Sequence, residues 1–206
     1  MKLSRGKIFG ILILSACILY GCTHRHEAYS RGDNLYLDGE RYIGISGSDY
    51  LYKESNKRIC KAEDGSIIYE VEGDKEYNYV VCRSFWEAGL FVKESYTPDE
   101  TIVSAISIGN KKDNYIYDEK IIDCVLTLAD NEELVDDSEE LKKARIHGRE
   151  IYVKYGDVAV GKYIGDIFPY KDKIMYYNDS KQIATVLTDD QLELLQEYLY
   201  YETSRR

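Results

Sequence analysis

The sequence is poor in the residues that most often build catalytic and metal centres. It holds three histidines, one tryptophan and two prolines in 206 residues. His24 and His26 lie close together and His147 stands alone, so the His-x-His pair lacks the further ligands that a zinc site requires. The sequence also lacks a Gly-x-Ser-x-Gly, a His-Glu-x-x-His, a Walker loop and a Rossmann glycine pattern. We therefore predict no metal ion, no cofactor and no catalytic residue from these motifs.

Basic charge is scarce as well. The chain has 27 Lys and Arg residues against 37 Asp and Glu residues, which gives a formal net charge of −10 at pH 7. Nucleic acids and anionic surfaces are bound through clusters of basic side chains. This balance argues against nucleic acid as a partner, whereas a basic peptide or a cationic protein is compatible with it.

The apolar run near the N-terminus, residues 8–20, is too short for a typical membrane-spanning helix, which needs roughly twenty apolar residues. Lys2, Arg5 and Lys7 precede it, with no acidic residue among them. A short apolar run behind a basic segment is typical of a signal peptide, and the basic flank stays on the cytoplasmic side. This pattern predicts that the rest of the chain is exported.

Leu19-Tyr20-Gly21-Cys22 follows the run and resembles the lipobox of bacterial lipoproteins. Leu at position −3 and Gly at −1 relative to the cysteine fit the family pattern, whereas Tyr20 is bulkier than the usual residue at −2. The resemblance implies that a signal peptidase cleaves between Gly21 and Cys22. It also implies that Cys22 carries a diacylglyceryl group, which would anchor the protein to a membrane on its outer side.

Two segments follow from this resemblance. Residues 1–21 form the predicted signal peptide, and the polar residues 22–34 form the predicted flexible tether. The alternatives are an uncleaved N-terminal anchor, or cleavage elsewhere that leaves Cys22 unmodified. Both alternatives still export the body of the chain.

The cysteines that remain are too few for a disulfide framework. Beyond the predicted signal peptide and Cys22, the chain keeps Cys60, Cys82 and Cys124, and an odd number leaves at least one thiol unpaired. Cys60 and Cys82 are the candidate disulfide pair. Buried thiols without a disulfide are the favoured alternative.

Tyrosine is the residue in excess, with 21 copies. Two tyrosines separated by one residue place both rings on the same face of a strand. Exposed rings of this kind can stack on sugars or contact a protein, but tyrosine is also a good strand former on a solvated face, which is the favoured interpretation. Such pairs are Tyr50/Tyr52, Tyr77/Tyr79 and Tyr115/Tyr117.

We predict an α+β fold for the body of the chain. A β-meander is expected over 35–97 and a mixed α+β region over 98–206, and the two regions are either separate subdomains that divide near Pro98 or parts of one domain. Asp38-Gly39 predicts a hairpin turn. Asp64-Gly65 predicts another, a two-residue turn that pairs Cys60 with Tyr69 and places both on a buried face.

Two helices are predicted in the second half. Asp118 can cap a helix over 119–130, which has an apolar face. Thr188 and Gln191 form a capping box at the start of a C-terminal helix, whose leucines would pack on the sheet.

The function that these features favour is a membrane-anchored lipoprotein of the cell envelope, acting as a non-catalytic binding module. Its partners would be the membrane, through the lipid on Cys22, and a protein, a peptide or an envelope polymer. The alternatives are a small envelope hydrolase whose carboxylates meet only in the fold, and a solute-binding lipoprotein. The ligand and the oligomeric state are left open.

Overall fold

A computed structural model describes residues 26–31, 34–45, 47–84, 87–109, 114–131 and 139–199. Gly21, Cys22 and the predicted signal peptide lie outside the described residues. The described part contains thirteen strands and three helices, and the predicted α+β class is confirmed. None of the described helices is long and apolar enough to span a membrane.

The N-terminal sheet has seven antiparallel strands in the order β1-β2-β3-β8-β7-β6-β5. The Glu63 amide, just after edge strand β5, donates to the Ala28 carbonyl of the other edge strand, β1, at 3.1 Å. This contact brings the two edges together, and the strands enclose a core that includes Leu35, Ile68 and Val80. The strands are β1 Ala28–Arg31, β2 Asn34–Leu37, β3 Glu40–Ile45, β5 Glu54–Lys61, β6 Ile67–Val71, β7 Tyr79–Arg83 and β8 Ala88–Lys93.

Strand β1 lies within the segment predicted as a tether, so that prediction is wrong for Ala28–Arg31. The polar composition of residues 22–34 suggested an unstructured segment. In the structure, all four residues of β1 pair with β2, and Ala28 is buried opposite Leu37. His26 is also held, because its Nδ1 lies 2.6 Å from the Asp38 carboxylate.

The Asp38-Gly39 turn is confirmed. Leu37 pairs with Glu40, and both turn residues have positive φ, as a type I′ hairpin requires. Asp38 and Gly39 therefore set the register between β2 and β3.

The Asp64-Gly65 register is wrong by one residue. The Gly65 amide donates to the Ala62 carbonyl, and Gly65 has φ +92°, which makes a three-residue turn with a glycine in the left-handed region. Cys60 therefore pairs with Ile68, and Tyr69 lies on the opposite face. A one-residue shift in register moves every side chain to the other face.

The C-terminal sheet runs in the order β13-β12-β11-β10-β9, with short strand β4 paired to β11. Helices α1 and α3 cover one face, where Val125 and Leu195 meet Ile151 and Val153. Helix α2 covers part of the opposite face through Leu141. The elements are β4 Tyr50–Tyr52, β9 Val103–Ile108, β10 Arg149–Tyr155, β11 Val160–Tyr170, β12 Lys173–Asn178, β13 Ile183–Val186, α1 Glu119–Asp130, α2 Glu139–Arg145 and α3 Asp189–Leu199.

Both predicted helix starts are confirmed. The Asp118 side chain accepts hydrogen bonds from the amides of Lys120 and Ile121 at the start of α1. At α3, the Thr188 amide donates to Gln191 Oε1 at 2.9 Å, and the Gln191 amide donates to Thr188 Oγ1 at 3.3 Å. These caps satisfy backbone groups that a helix leaves unpaired at its N-terminus.

The two sheets share a core cluster. Tyr52 of β4 pairs with Val160 of β11, and Val160 packs beside Val81 and Leu90 of the N-terminal sheet. Strand β4 thus comes from the first predicted half and completes the sheet of the second. The division of the chain near Pro98 stays a prediction.

Candidate functional site

A groove of about 650 Å³ lies where the C-terminal end of α2 meets strands β10 and β11. We call it the Arg145 groove. It combines basic side chains, two carboxylates and the exposed apolar side chain of Ile146. Its lining consists of Gly109, Lys142, Arg145, Ile146, His147, Gly148, Arg149, Glu150, Tyr163 and Asp166.

Arg145 organises the groove. Its Nε donates to the buried Asp166 carboxylate, and its Nη2 donates to the Tyr163 hydroxyl at 2.9 Å and to the Asp179 carboxylate. The guanidinium also stacks on the Tyr177 ring, 4.3 Å from its centroid. Burial lowers the pKa of Arg145, but these hydrogen bonds outweigh it and raise the pKa above its usual value. The guanidinium is thus charged and fixes the end of α2 to the sheet.

The two carboxylates of the groove face each other. Glu150 and Asp166 are directly opposite in the β10–β11 ladder, so their side chains share one face of the sheet. The Tyr163 hydroxyl donates to Asp166 at 2.7 Å, and the Tyr152 hydroxyl donates to Glu150 at 2.9 Å. Because Arg145 also engages Asp166, Glu150 is the carboxylate better placed to accept a bond from a ligand.

The groove gathers basic side chains in an otherwise acidic chain. Lys142 and His147 lie on its α2 side, and Arg149 lies at the start of β10. Arg149 Nε donates to the Leu199 carbonyl at the end of α3, at 3.1 Å, which ties the rim of the groove to that helix. A surface with fixed charges of both signs suits a polar ligand better than an apolar one.

The tyrosine pairs behave differently from one another. Tyr115 and Tyr117 both face Lys154, whose Nζ lies 5.6 and 5.7 Å from the two ring centroids. Tyr77 and Tyr79 instead contribute to two separate core clusters, because Tyr77 has φ +56° and interrupts the alternation. Tyr50 and Tyr52 pack against the same core cluster. The spacing therefore identified a shared face for two of the three pairs and failed at a turn.

Cys60 and Cys82 are free thiols. Each is paired with Ile68, from opposite sides, so two strand spacings of about 10 Å in total separate the cysteines. A disulfide needs Cα atoms closer than about 7 Å. Burial raises the pKa of both thiols. This geometry favours the free-thiol alternative over the candidate pair.

Sequence reasoning missed the residues that organise the groove. Arg145, Tyr163 and Asp166 lie on elements that meet only through the pairing of β10 with β11. One signal in the sequence is that Glu150, Tyr152 and Lys154 alternate with the apolar residues Ile151 and Val153. This alternation places three polar or amphipathic side chains on one face of β10. Gly21 and Cys22, the predicted cleavage and lipidation residues, lie outside the described residues.

No protein-family model, curated protein or solved structure matches this chain. Within the described residues, no group of three or more His, Cys, Asp or Glu side chains is arranged to hold a metal ion.

Proposed function

We propose that the chain is a lipid-anchored protein of the cell envelope that binds a polar ligand or partner without transforming it. The observation that carries the proposal is Leu19-Tyr20-Gly21-Cys22 directly behind a short apolar run with a basic flank. A diacylglyceryl group on Cys22 supplies two acyl chains, and each buried methylene contributes about 0.8 kcal/mol to membrane binding.

The Arg145 groove supports the binding part of the proposal. Asp166 is engaged by Arg145 and Tyr163, and Glu150 accepts a bond from Tyr152, so the polar groups are held in place before any ligand arrives. Polar groups held in this way give orientation and specificity in binding sites. The exposed Ile146 side chain adds an apolar contact at the rim.

Fractionation of the full chain tests the anchor. The wild type is compared with Cys22→Ala and with Cys17→Ala, a matched control inside the predicted signal peptide. We expect the wild type and Cys17→Ala in the membrane fraction, released by detergent and not by salt. Cys22→Ala should leave that fraction or retain its signal peptide. Equal behaviour of all three proteins would contradict lipidation at Cys22.

The facing carboxylates favour one second candidate, a small hydrolase. Glycosidases place two carboxyl groups across the bond they cleave, and Glu150 and Asp166 face each other in a concave site. Turnover of nitrophenyl glycosides tests this alternative. Activity that is lost in Glu150→Gln and kept in Glu139→Gln, an exposed control on α2, would establish the hydrolase. Without such turnover the binding role stands.

A further inference from the structure

A second cavity of about 300 Å³ lies beside the turn between β10 and β11 and shares no lining residue with the Arg145 groove. We call it the Lys154 cavity. Charged and aromatic side chains dominate its wall: Lys53, Glu72, Tyr115, Tyr117, Lys154 and Asp157.

Lys154 is the unusual member of this wall. It is only 7% exposed, yet no carboxylate of the described residues forms an ion pair with it. Its Nζ instead lies near the faces of Tyr115 and Tyr117, at 5.6 and 5.7 Å from their centroids. Aromatic faces attract an ammonium but replace only part of the hydration that burial removes. The Lys154 ammonium opens onto the cavity, and no carboxylate of the described residues pairs with it, so it is a position where an anionic group would bind.

The other charges of the cavity narrow the choice of ligand. Lys53 and Glu72 pair with each other at 3.0 Å. This leaves Asp157, an exposed residue whose carboxylate forms no ion pair with the described residues. Among the described residues of its wall, the cavity thus presents one cation and one anion that form no ion pair. A dianion such as phosphate would meet repulsion from the carboxylates, and a neutral sugar would leave Lys154 without a counter-ion.

The wall of the cavity also contains a polar group that lacks a hydrogen-bond partner among the described residues. The Tyr115 hydroxyl is buried and has no hydrogen-bond partner among the described residues. It sits over Gly161, where a methyl group would come within 3.2 Å of the oxygen. Buried hydroxyls usually have a partner, and a bound ligand or water can supply one.

We propose that the Lys154 cavity binds a small zwitterion, an amino acid or a short peptide, with its carboxylate on Lys154 and its ammonium on Asp157. Tyr117, 63% exposed, covers the bound molecule from the solvent side. Ligand binding in the Lys154 cavity depends neither on the lipid anchor nor on the Arg145 groove. A negative result for this cavity would therefore leave the proposed function unaffected, and the reverse also holds.

Calorimetric titration of the detergent-solubilised full chain tests the proposal. The probes are alanine, alanyl-alanine, the C-terminal amide of alanyl-alanine, and inorganic phosphate. We expect saturable binding of alanine or alanyl-alanine. The amide should bind at least about tenfold more weakly, because it removes the carboxylate that pairs with Lys154. Lys154→Met should weaken binding at least about tenfold, whereas Lys162→Met, the matched lysine outside the cavity that is paired with Glu100, should leave it unchanged.

Thermal unfolding without ligand supplies a second readout. If the Lys154 ammonium serves to bind a ligand, Lys154→Met removes a charge that stabilises no ion pair in the described residues, and the ligand-free variant should melt no lower than the wild type. The proposal is overturned if neither alanine nor alanyl-alanine binds, if the amide or phosphate binds as well as the free dipeptide, or if Lys154→Met binds like the wild type. A lower melting temperature of ligand-free Lys154→Met would also contradict it, because the two rings would then account for the buried lysine.

Discussion

Gly73, in the turn between β6 and β7, lies directly against the backbone carbonyl of Asp157, in the turn between β10 and β11. A methyl group on Gly73 would come within 2.7 Å of that oxygen, and Gly73 has φ +85°, a conformation that other residues adopt at a cost. The contact joins the two sheets at the edge of the Lys154 cavity. Glycine is therefore required at this position for both its conformation and its size.

Replacing Gly73 by alanine should destabilise the protein through strain and a steric clash. Left-handed conformation costs an alanine about 1–2 kcal/mol, and displacement of the Asp157 turn adds to this, so we expect a total loss of about 2–4 kcal/mol. Denaturant unfolding measures the loss. Gly39→Ala is the matched control, because Gly39 has φ +83° and open space around it. Equal losses in the two variants would show that the contact with Asp157 is unimportant.

Arg145 should matter for stability as well as for the groove. In Arg145→Met the buried Asp166 carboxylate loses its guanidinium partner, and breaking a buried ion pair costs about 3 kcal/mol. The double variant with Asp166→Asn should recover part of this loss, because the buried carboxylate is gone and Asp179, the other partner of Arg145, is half exposed to solvent. Lys142→Met, on the same helix and half exposed, should change the free energy of unfolding by less than about 1 kcal/mol. A loss in Arg145→Met no larger than in Lys142→Met would contradict the role given to the network.

Alkaline pH should unfold the protein. Burial raises the pKa of nine described tyrosines: Tyr42, Tyr52, Tyr79, Tyr96, Tyr115, Tyr152, Tyr155, Tyr163 and Tyr176. A raised pKa means that the folded state holds these protons more tightly than the unfolded state. The resulting stability is complete below the unfolded pKa of about 10 and declines as the pH rises above it. Tyrosinate absorption should therefore show a late step that coincides with the loss of circular dichroism. Ionisation of every tyrosine near pH 10 with the fold intact would refute this.

The three described cysteines should remain thiols in the native protein, also under oxidising conditions. Cys60 and Cys82 are about two strand spacings apart, and burial raises the pKa of these thiols and of Cys124. We expect slow reaction with a maleimide in the native protein, because the thiolate is the reactive form. After denaturation without reductant, peptide mapping should find a label on each of Cys60, Cys82 and Cys124. A label on Cys124 with Cys60 and Cys82 unlabelled would indicate the Cys60–Cys82 disulfide.

Local chemistry accounts for the elements that could be predicted. The capping box of Thr188 and Gln191 and the cap at Asp118 identify where helices begin, since both act within a few residues. The Asp38-Gly39 turn is predictable for the same reason. The Asp64-Gly65 register was wrong because the same dipeptide also fits a three-residue turn, and only packing distinguishes the two.

The groove depends on contacts that local patterns do not contain. Arg145 reaches Asp166, 21 residues away, and Asp179, 34 residues away. The pairing of β11 with β12 brings Asp166 and Asp179 together. The pairing of β10 with β11 places Glu150 opposite Asp166, and an irregularity after Ile151 shifts the register of that pair of strands. A bulge of this kind changes which side chains share a face, and hydrophobic alternation alone does not locate it.

The intact mass of the protein extracted from membranes distinguishes a lipid anchor at Cys22 from an uncleaved apolar anchor. We expect a chain that begins at Cys22, lacks residues 1–21 and carries the added mass of a diacylglyceryl group, whereas Cys22→Ala should show no such species. A full-length chain of 206 residues with an unmodified Cys22 would contradict the lipid anchor and leave an N-terminal apolar anchor in its place.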